Sequence, residues 1–185
     1  NTARYDTTKH LATPVISDAK VGLQKISEAL GDWKAPDDWY KRAIKEKNEW
    51  DAYVEKQSGP TNQEEPSYAH AVGAVYRNSD PSDIVVTAAG GLVGEVVQVW
   101  KPKQLNTFET EWGFSCMGYE ISGALGIKMA KPDQDVVVFV GDGSYLLNNT
   151  DIYSSVIYDQ KLIIIVCDNG GHMVINRLQL AKGGK

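Results

Sequence analysis

Residues 136–171, VVVFVGDGSYLLNNTDIYSSVIYDQKLIIIVCDNGG, decide the fold. Val136 to Val140 is an uninterrupted apolar run, and Leu162 to Val166 is a second. A strand with one face in water alternates polar and apolar residues, so unbroken runs predict strands covered on both faces, as in a parallel sheet. Between them the spacing predicts a helix, with Asn148 as its cap and Asp151 three residues on in the capping-box position. Strand, helix, strand is a βαβ unit, expected to cross over right-handed. The fold class is therefore α/β, a parallel sheet with helices on both faces.

Working upstream, Ile84 to Ala88 reads as a short buried strand ended by Gly90-Gly91, and Gly94 to Trp100 as a short helix. Gly118 to Ala130 is predicted helical, with Met117, Ile121 and Leu125 stepping by four. Gly118, Ser122 and Gly126 make a parallel ridge of small residues on which another element can pack closely. Ser67 to Tyr76 also has a helical period. Residues 1–66 are more polar, with ten Lys and Arg against twelve Asp and Glu. Within them Val15 to Leu30 and Asp38 to Val54 read as helices, the second exposed and amphipathic, and Ser58 to Pro66 as a linker.

The whole chain has 185 residues, 42% of them hydrophobic, and 19 Lys plus Arg against 24 Asp plus Glu for a net charge of −5. That content supports a sizeable core and argues against disorder. The mild acidity excludes nucleic acid as the expected partner, and no apolar run approaches the roughly 20 residues of a membrane helix. Two cysteines, Cys116 and Cys167, are too few for a disulfide framework, which points to a reducing, cytoplasmic setting with structural thiols. The chain starts at Asn1 without a leader pattern and is expected to be a piece of a longer protein.

The chemistry concentrates where the two apolar runs end. The first runs into Gly141-Asp142-Gly143-Ser144, the second into Asp168-Asn169-Gly170-Gly171. Ligands of open α/β sheets bind at this edge. Glycines there let backbone N–H groups approach an anion. Asp142 and Asn169 offer hard oxygen ligands, and the Gly171 carbonyl a third. With diphosphate oxygens they suit octahedral Mg²⁺. The helix starting near Asn148 is expected to point its positive end at the same place.

Gly-Asp-Gly followed 27 residues after Asp142 by Asn169 resembles the cofactor motif of thiamin-diphosphate-dependent enzymes. The resemblance implies Mg²⁺ held by Asp142, Asn169 and the Gly171 carbonyl, with diphosphate bound by the N–H groups of Gly143 and Ser144. The segment GFSCMG, residues 113–118, is similar to the family's wedge segment. By that likeness Met117 bends the cofactor, and the Ser115 carbonyl accepts from its pyrimidine amine. Gly90 and Gly91 would lie near the diphosphate. The longer stretch EWGFSCMGYEISGALGIKMAKPD, with VGDGSYL and INRLQ, is similar to the branch that hydrolyses a cyclic 1,2-dione in inositol breakdown.

That likeness implies C–C hydrolysis. The cofactor's carbanion adds to one carbonyl, water attacks the neighbour, and the ring opens to an acid-aldehyde, 5-deoxyglucuronate. It also implies a site shared between the subunits of a homodimer or larger assembly, with the activating glutamate in a domain this chain lacks. Residues 1–30 resemble the end of the preceding domain, 31–66 a helical linker, and 67–185 the N-terminal part of the diphosphate- and Mg²⁺-binding domain. Gly170-Gly171-His172 departs from the family's His-Gly-aromatic run.

Plainer readings apply elsewhere. Glu109 and Glu111 read as a solvated loop pair before substrate contacts, and His10, His70 and His172 as ordinary surface, helix or loop residues. Trp33, Trp39 and Trp50 read as anchors for a linker. There is no His and Cys cluster of zinc type and no Gly-x-Ser-x-Gly elbow. Two other functions share the motif: an acetolactate-synthase-like carboligase or 2-oxo acid decarboxylase, and a cofactor-binding module without turnover.

Overall fold

The computed structural model describes residue 7 and residues 9–184, so Lys185 and the first residues of the 1–30 segment lie outside it. The chain divides into two compact units, Asn1–Asn48 and Glu49–Lys185. The first contains α1 (Ala19–Leu30) and the start of α2 (Asp37–Ser58), so the division falls within α2, while composition changes character at Ser67. Helix α1 starts where the Asp18 carboxylate accepts the Val21 N–H at 3.1 Å. Its Leu23, Ile26 and Leu30 are exposed. In α2, Asp37 and Asp38 occupy the first turn and Lys56 the last, each placed favourably in the helix dipole. Trp33, Trp39 and Trp50, expected as anchors, are exposed.

The second unit runs α3 (Tyr68–Asn78), β1 (Ile84–Thr87), α4 (Leu92–Val99), β2 (Phe108–Thr110), α5 (Tyr119–Ala130), β3 (Val136–Gly141), α6 (Asp142–Leu147), α7 (Thr150–Ile157), β4 (Ile163–Cys167) and α8 (Met173–Ala181). Helix α3 opens with a capping box, in which Ser67 Oγ accepts the His70 N–H and His70 Nδ1 accepts the Ser67 N–H at 3.2 Å. His70 is thus a helix cap.

The strands form one parallel sheet in the order β2-β1-β3-β4. Side chains alternate between its faces, so each buried strand feeds two cores. Val85, Val137 and Phe139 pack with α3 and α4 through Val72, Leu92 and Val96. Ile84, Val86, Val136, Val138 and Val140 pack on the other face with Ile121 and Ala124 of α5. This is the helix-covered α/β sheet that the unbroken apolar runs imply. Each such side chain, fully buried, contributes about 1.5–3 kcal/mol. Trp100 sits edge-on between Tyr76, at 5.3 Å, and Phe139, at 6.0 Å. The buried Lys128 donates to the carbonyls of Pro132 and Gln134 at 2.9 and 2.7 Å, which satisfies its charge and closes the turn into β3.

The structure corrects several readings. The sheet has a fourth strand, β2, whose three residues bear no apolar run. Asn148 does not cap a helix. A short helix, α6, already begins at Asp142, and α7 begins after Asn149 without a side-chain cap. The Asn148 side chain packs against Gly118, where an added Cβ would lie 2.6 Å from the asparagine Cβ. Asp151 accepts from Ser122 and Ser154 instead of completing a capping box. The small-residue ridge is thus used at Gly118 and Ser122, while nothing lies within 4 Å of a Cβ at Gly126. Strand β4 lies at the sheet edge and is only partly covered, with Val166 exposed. No helix among the described residues is long and apolar enough to cross a membrane.

Candidate functional site

Because all the strands are parallel, their carboxyl ends meet at one edge of the sheet. The chain goes from β1 to β2 on one side, then passes through α5 to β3 on the other, so the order switches between β1 and β3. A ligand crevice belongs at such a switch. A cavity of about 350 Å³ lies there. Gly90 and Gly91 enter it from β1, and Ser115 and Met117 from the loop after β2. Asp142, Gly143 and Ser144 enter from the end of β3, and Asn169 and Gly171 from the end of β4. Every site residue read from the sequence therefore lines one cavity. A larger groove of about 930 Å³ shares Gly91, Tyr68 and Asn169 with it but is not lined by Asp142, Gly143 or Met117.

The floor of the cavity is built around Gly143. A Cβ there would lie 2.6 Å from His172 Cε1 and 3.4 Å from Met117 Cε, so a larger residue would have to displace the His172 ring. Helix α6 starts at Asp142, which leaves the N–H groups of its first turn, those of Gly143 and Ser144 included, without partners inside the helix. Gly90 and Gly170 take φ of +79°, a left-handed conformation that glycine adopts without strain. The site residues fit a diphosphate: backbone donors, glycines where side chains would obstruct, and one carboxylate.

Asn169 is oriented by a residue 101 positions away. Its Nδ2 donates to Tyr68 Oη, which leaves Oδ1, the atom a cation would need, free of that bond. Burial, and after it the nearby Cys167 and Asp142, push the Tyr68 phenol up, against the donation from Asn169. Burial also pushes the Cys167 thiol up to about 11, so it stays a neutral structural group. The Gly171 carbonyl accepts the Met173 N–H at 2.9 Å, which leaves its second lone pair for a ligand. Among the described residues no group of three His, Cys, Asp or Glu side chains could hold a metal. A cation bound here would depend on Asp142, amide oxygens and ligand phosphates, the donor set of Mg²⁺.

The loop carrying Met117 is held by two carboxylates. Glu111 accepts the N–H groups of Phe114 at 2.8 Å and Cys116 at 2.7 Å. Those bonds, that of Cys116 first, hold its carboxyl below the usual range. They also brace Ser115, a non-glycine residue at φ +52°. Glu111 is thus a loop organiser. Glu120, fully buried in the first turn of α5, accepts the Gly118 N–H at 2.9 Å and the Ala89 N–H at 3.1 Å. Sequence reasoning singled out neither Glu120 nor Tyr68, and read His172 as an ordinary loop residue. An acid two residues after Gly118, on an otherwise apolar helix, was the available signal for Glu120. Nothing local marks Tyr68.

Residues 88–185 match the family described as thiamine pyrophosphate enzyme, C-terminal TPP binding domain. Over 99% of its length the chain is 35% identical to a protein of Geobacillus thermodenitrificans named 3D-(3,5/4)-trihydroxycyclohexane-1,2-dione hydrolase, and 34% identical to one of the same name from Lacticaseibacillus casei. A Clostridium tetani protein of that name is also 35% identical over 99% of the chain. In each case the chain spans 32% of the relative, about a third of its length.

Proposed function

The chain belongs to the thiamine pyrophosphate enzyme family, and from that premise we propose that it is the cofactor-holding part of a C–C hydrolase acting on a trihydroxycyclohexane-1,2-dione. The observation that carries this reading is the convergence of four sheet-edge loops on one cavity. The fit of glycines, backbone donors and Asp142 to a diphosphate with Mg²⁺ supports the cofactor. The names of the relatives support the substrate.

In this reading Asp142, Asn169 Oδ1 and the Gly171 carbonyl hold Mg²⁺, and the N–H groups of Gly143 and Ser144 bind diphosphate oxygens. Gly90 and Gly91 leave room for the same group on the opposite wall. Met117, beside Gly143 in the cavity, would bend the cofactor, and the Ser115 carbonyl would accept from its aminopyrimidine. Bound there, thiamin diphosphate would supply a nucleophilic carbon and an electron sink for C–C cleavage. Tyr68 keeps Asn169 in place, and Glu111 the Met117 loop. The activating glutamate belongs to a domain beyond this chain, contributed by a second subunit, so the working enzyme is a homodimer or larger.

Substrate choice is tested by offering the full-length enzyme a cyclic 1,2-dione and, separately, pyruvate, with thiamin diphosphate and Mg²⁺. Ring opening to an acid-aldehyde without pyruvate turnover is the expected result. Pyruvate turnover alone would move the protein to the carboligase and decarboxylase branch, and turnover of neither would leave a binding module. The wedge role has its own test. Met117→Ala should retain the fold and cofactor binding while kcat falls about 10-fold or more, because cofactor geometry governs rate steeply. Met117→Leu, close in volume, should be milder. Equal kcat for wild type and Met117→Ala would return Met117 to a packing role.

A further inference from the structure

The two walls of the cavity are joined by one buried side chain. Glu120 is 0% exposed, and its two carboxylate oxygens are divided between loops that are distant in sequence. Oε1 accepts from Ala89, the residue before Gly90, and Oε2 accepts from Gly118, the residue after Met117. Each bond therefore acts one residue from a group that lines the cavity. A carboxylate accepting backbone N–H groups makes strong, directional bonds, stronger still away from water.

Gly118 cannot drift from this bond easily. It sits at φ +94°, and Asn148 closes the space on its Cβ side. Glu111 differs in kind, since both its bonds stay within residues 111–116. An acid in the first turn of a helix is commonly just a cap. The Ala89 bond, reaching across 31 residues to the end of β1, is what a cap does not need.

We infer that Glu120 is a positioning residue that sets the distance between the Gly90-Gly91 turn and the Ser115–Met117 turn, so that the cofactor meets a preformed site. This rests on the cofactor reading of the cavity given above. The carboxylate suits the task because both partners are donors. In Glu120→Gln one oxygen becomes an NH₂ group facing an N–H, so one of the two bonds is lost and a donor is left buried without a partner.

The test uses the full-length enzyme without cofactor, followed by amide hydrogen exchange, and then titration with thiamin diphosphate and Mg²⁺. Glu120→Gln should speed exchange in whichever of residues 88–92 and 115–119 loses its bond, while Glu111→Gln should speed only 113–117. Cofactor Kd should rise on the order of 10-fold in Glu120→Gln, as when a group orienting ligating residues is lost. Saturating cofactor should restore kcat towards wild type, and exchange elsewhere in the domain should stay at the wild-type rate, whereas general destabilisation would speed exchange throughout it. Wild-type exchange in both segments, or an unchanged Kd, would overturn the inference. Should Glu120→Gln fail to fold, Glu120→Asp decides the matter, because its shorter side chain reaches only one of the two donors. Wild-type exchange in both segments of that variant would overturn the bridging role. Asp142→Ala in the same titration separates the two readings. Wild type that binds no thiamin diphosphate overturns the cofactor reading, whereas binding that is lost in Asp142→Ala but unchanged in Glu120→Gln overturns only the role of Glu120.

Discussion

Asp142→Ala in the full-length enzyme is expected to abolish the Mg²⁺-dependent part of thiamin diphosphate binding, a loss of about 100-fold or more in affinity. The cavity offers a cation one carboxylate, and the remaining donors are neutral amide oxygens. Mg²⁺ binds through one or two carboxylates together with phosphate oxygens, so removing the only carboxylate removes the anchor that ties the phosphates to the protein. Titration calorimetry with and without Mg²⁺ reads the effect directly. Wild type in excess chelator should resemble the variant, and adding Mg²⁺ should restore wild type alone. Asp142 is partly exposed at the start of α6, and the fold should survive its truncation. Binding that keeps its Mg²⁺ dependence in the variant would place the cation elsewhere.

The largest effect on stability is expected from Phe139→Ala. Phe139 is 0% exposed in β3, an interior strand of the sheet, and its ring meets Trp100 edge-on at 6.0 Å. Trp100 in turn meets Tyr76, so the cavity left by the missing ring would open beneath an aromatic row that cannot easily collapse. Truncations of this kind cost about 3–5 kcal/mol, against roughly 5–15 kcal/mol for the stability of a whole domain. The consequence reaches the site, because β3 ends at Gly141 and α6 follows it immediately. Urea unfolding of the full-length protein should show a transition for this domain at markedly lower denaturant than in wild type. A loss under about 1 kcal/mol would mean that the α3 and α4 face of the sheet is loosely packed.

What could be read from the residues alone is what depends on near neighbours. Val136 to Val140 announces an interior strand because both faces of the backbone meet helices, and β3 is buried from Val136 to Val140. Ile84 to Thr87 reads the same way for the same reason. Gly-Asp-Gly and Asn169 are recognisable because each follows an apolar run, and a parallel sheet brings all strand ends to one edge. The helix over residues 119–130 was legible from its period, and its buried Ile121 and Leu125 follow that period.

The failures are equally physical. Phe108–Thr110 is an edge strand of three residues with a charged residue at its centre, so hydrophobicity carries no signal there. Gly143, ordinarily a helix breaker, is the second residue of α6, where a Cβ would crowd the His172 ring. Asn148 looked like a cap because local pattern cannot show that Gly118, thirty positions upstream, would leave it a space to fill. The same limit hid the roles of Glu120 and Tyr68. Glu120 finds Ala89 31 residues away, and Tyr68 meets Asn169 across 101. Periodicity and chemical type act over a few residues, and they were enough for the α/β class, the apolar strands and the motif residues that end them. Which carboxylate braces which loop emerges only once the chain is folded, because a buried hydrogen bond pairs groups by their position in space, and sequence distance places no limit on that pairing.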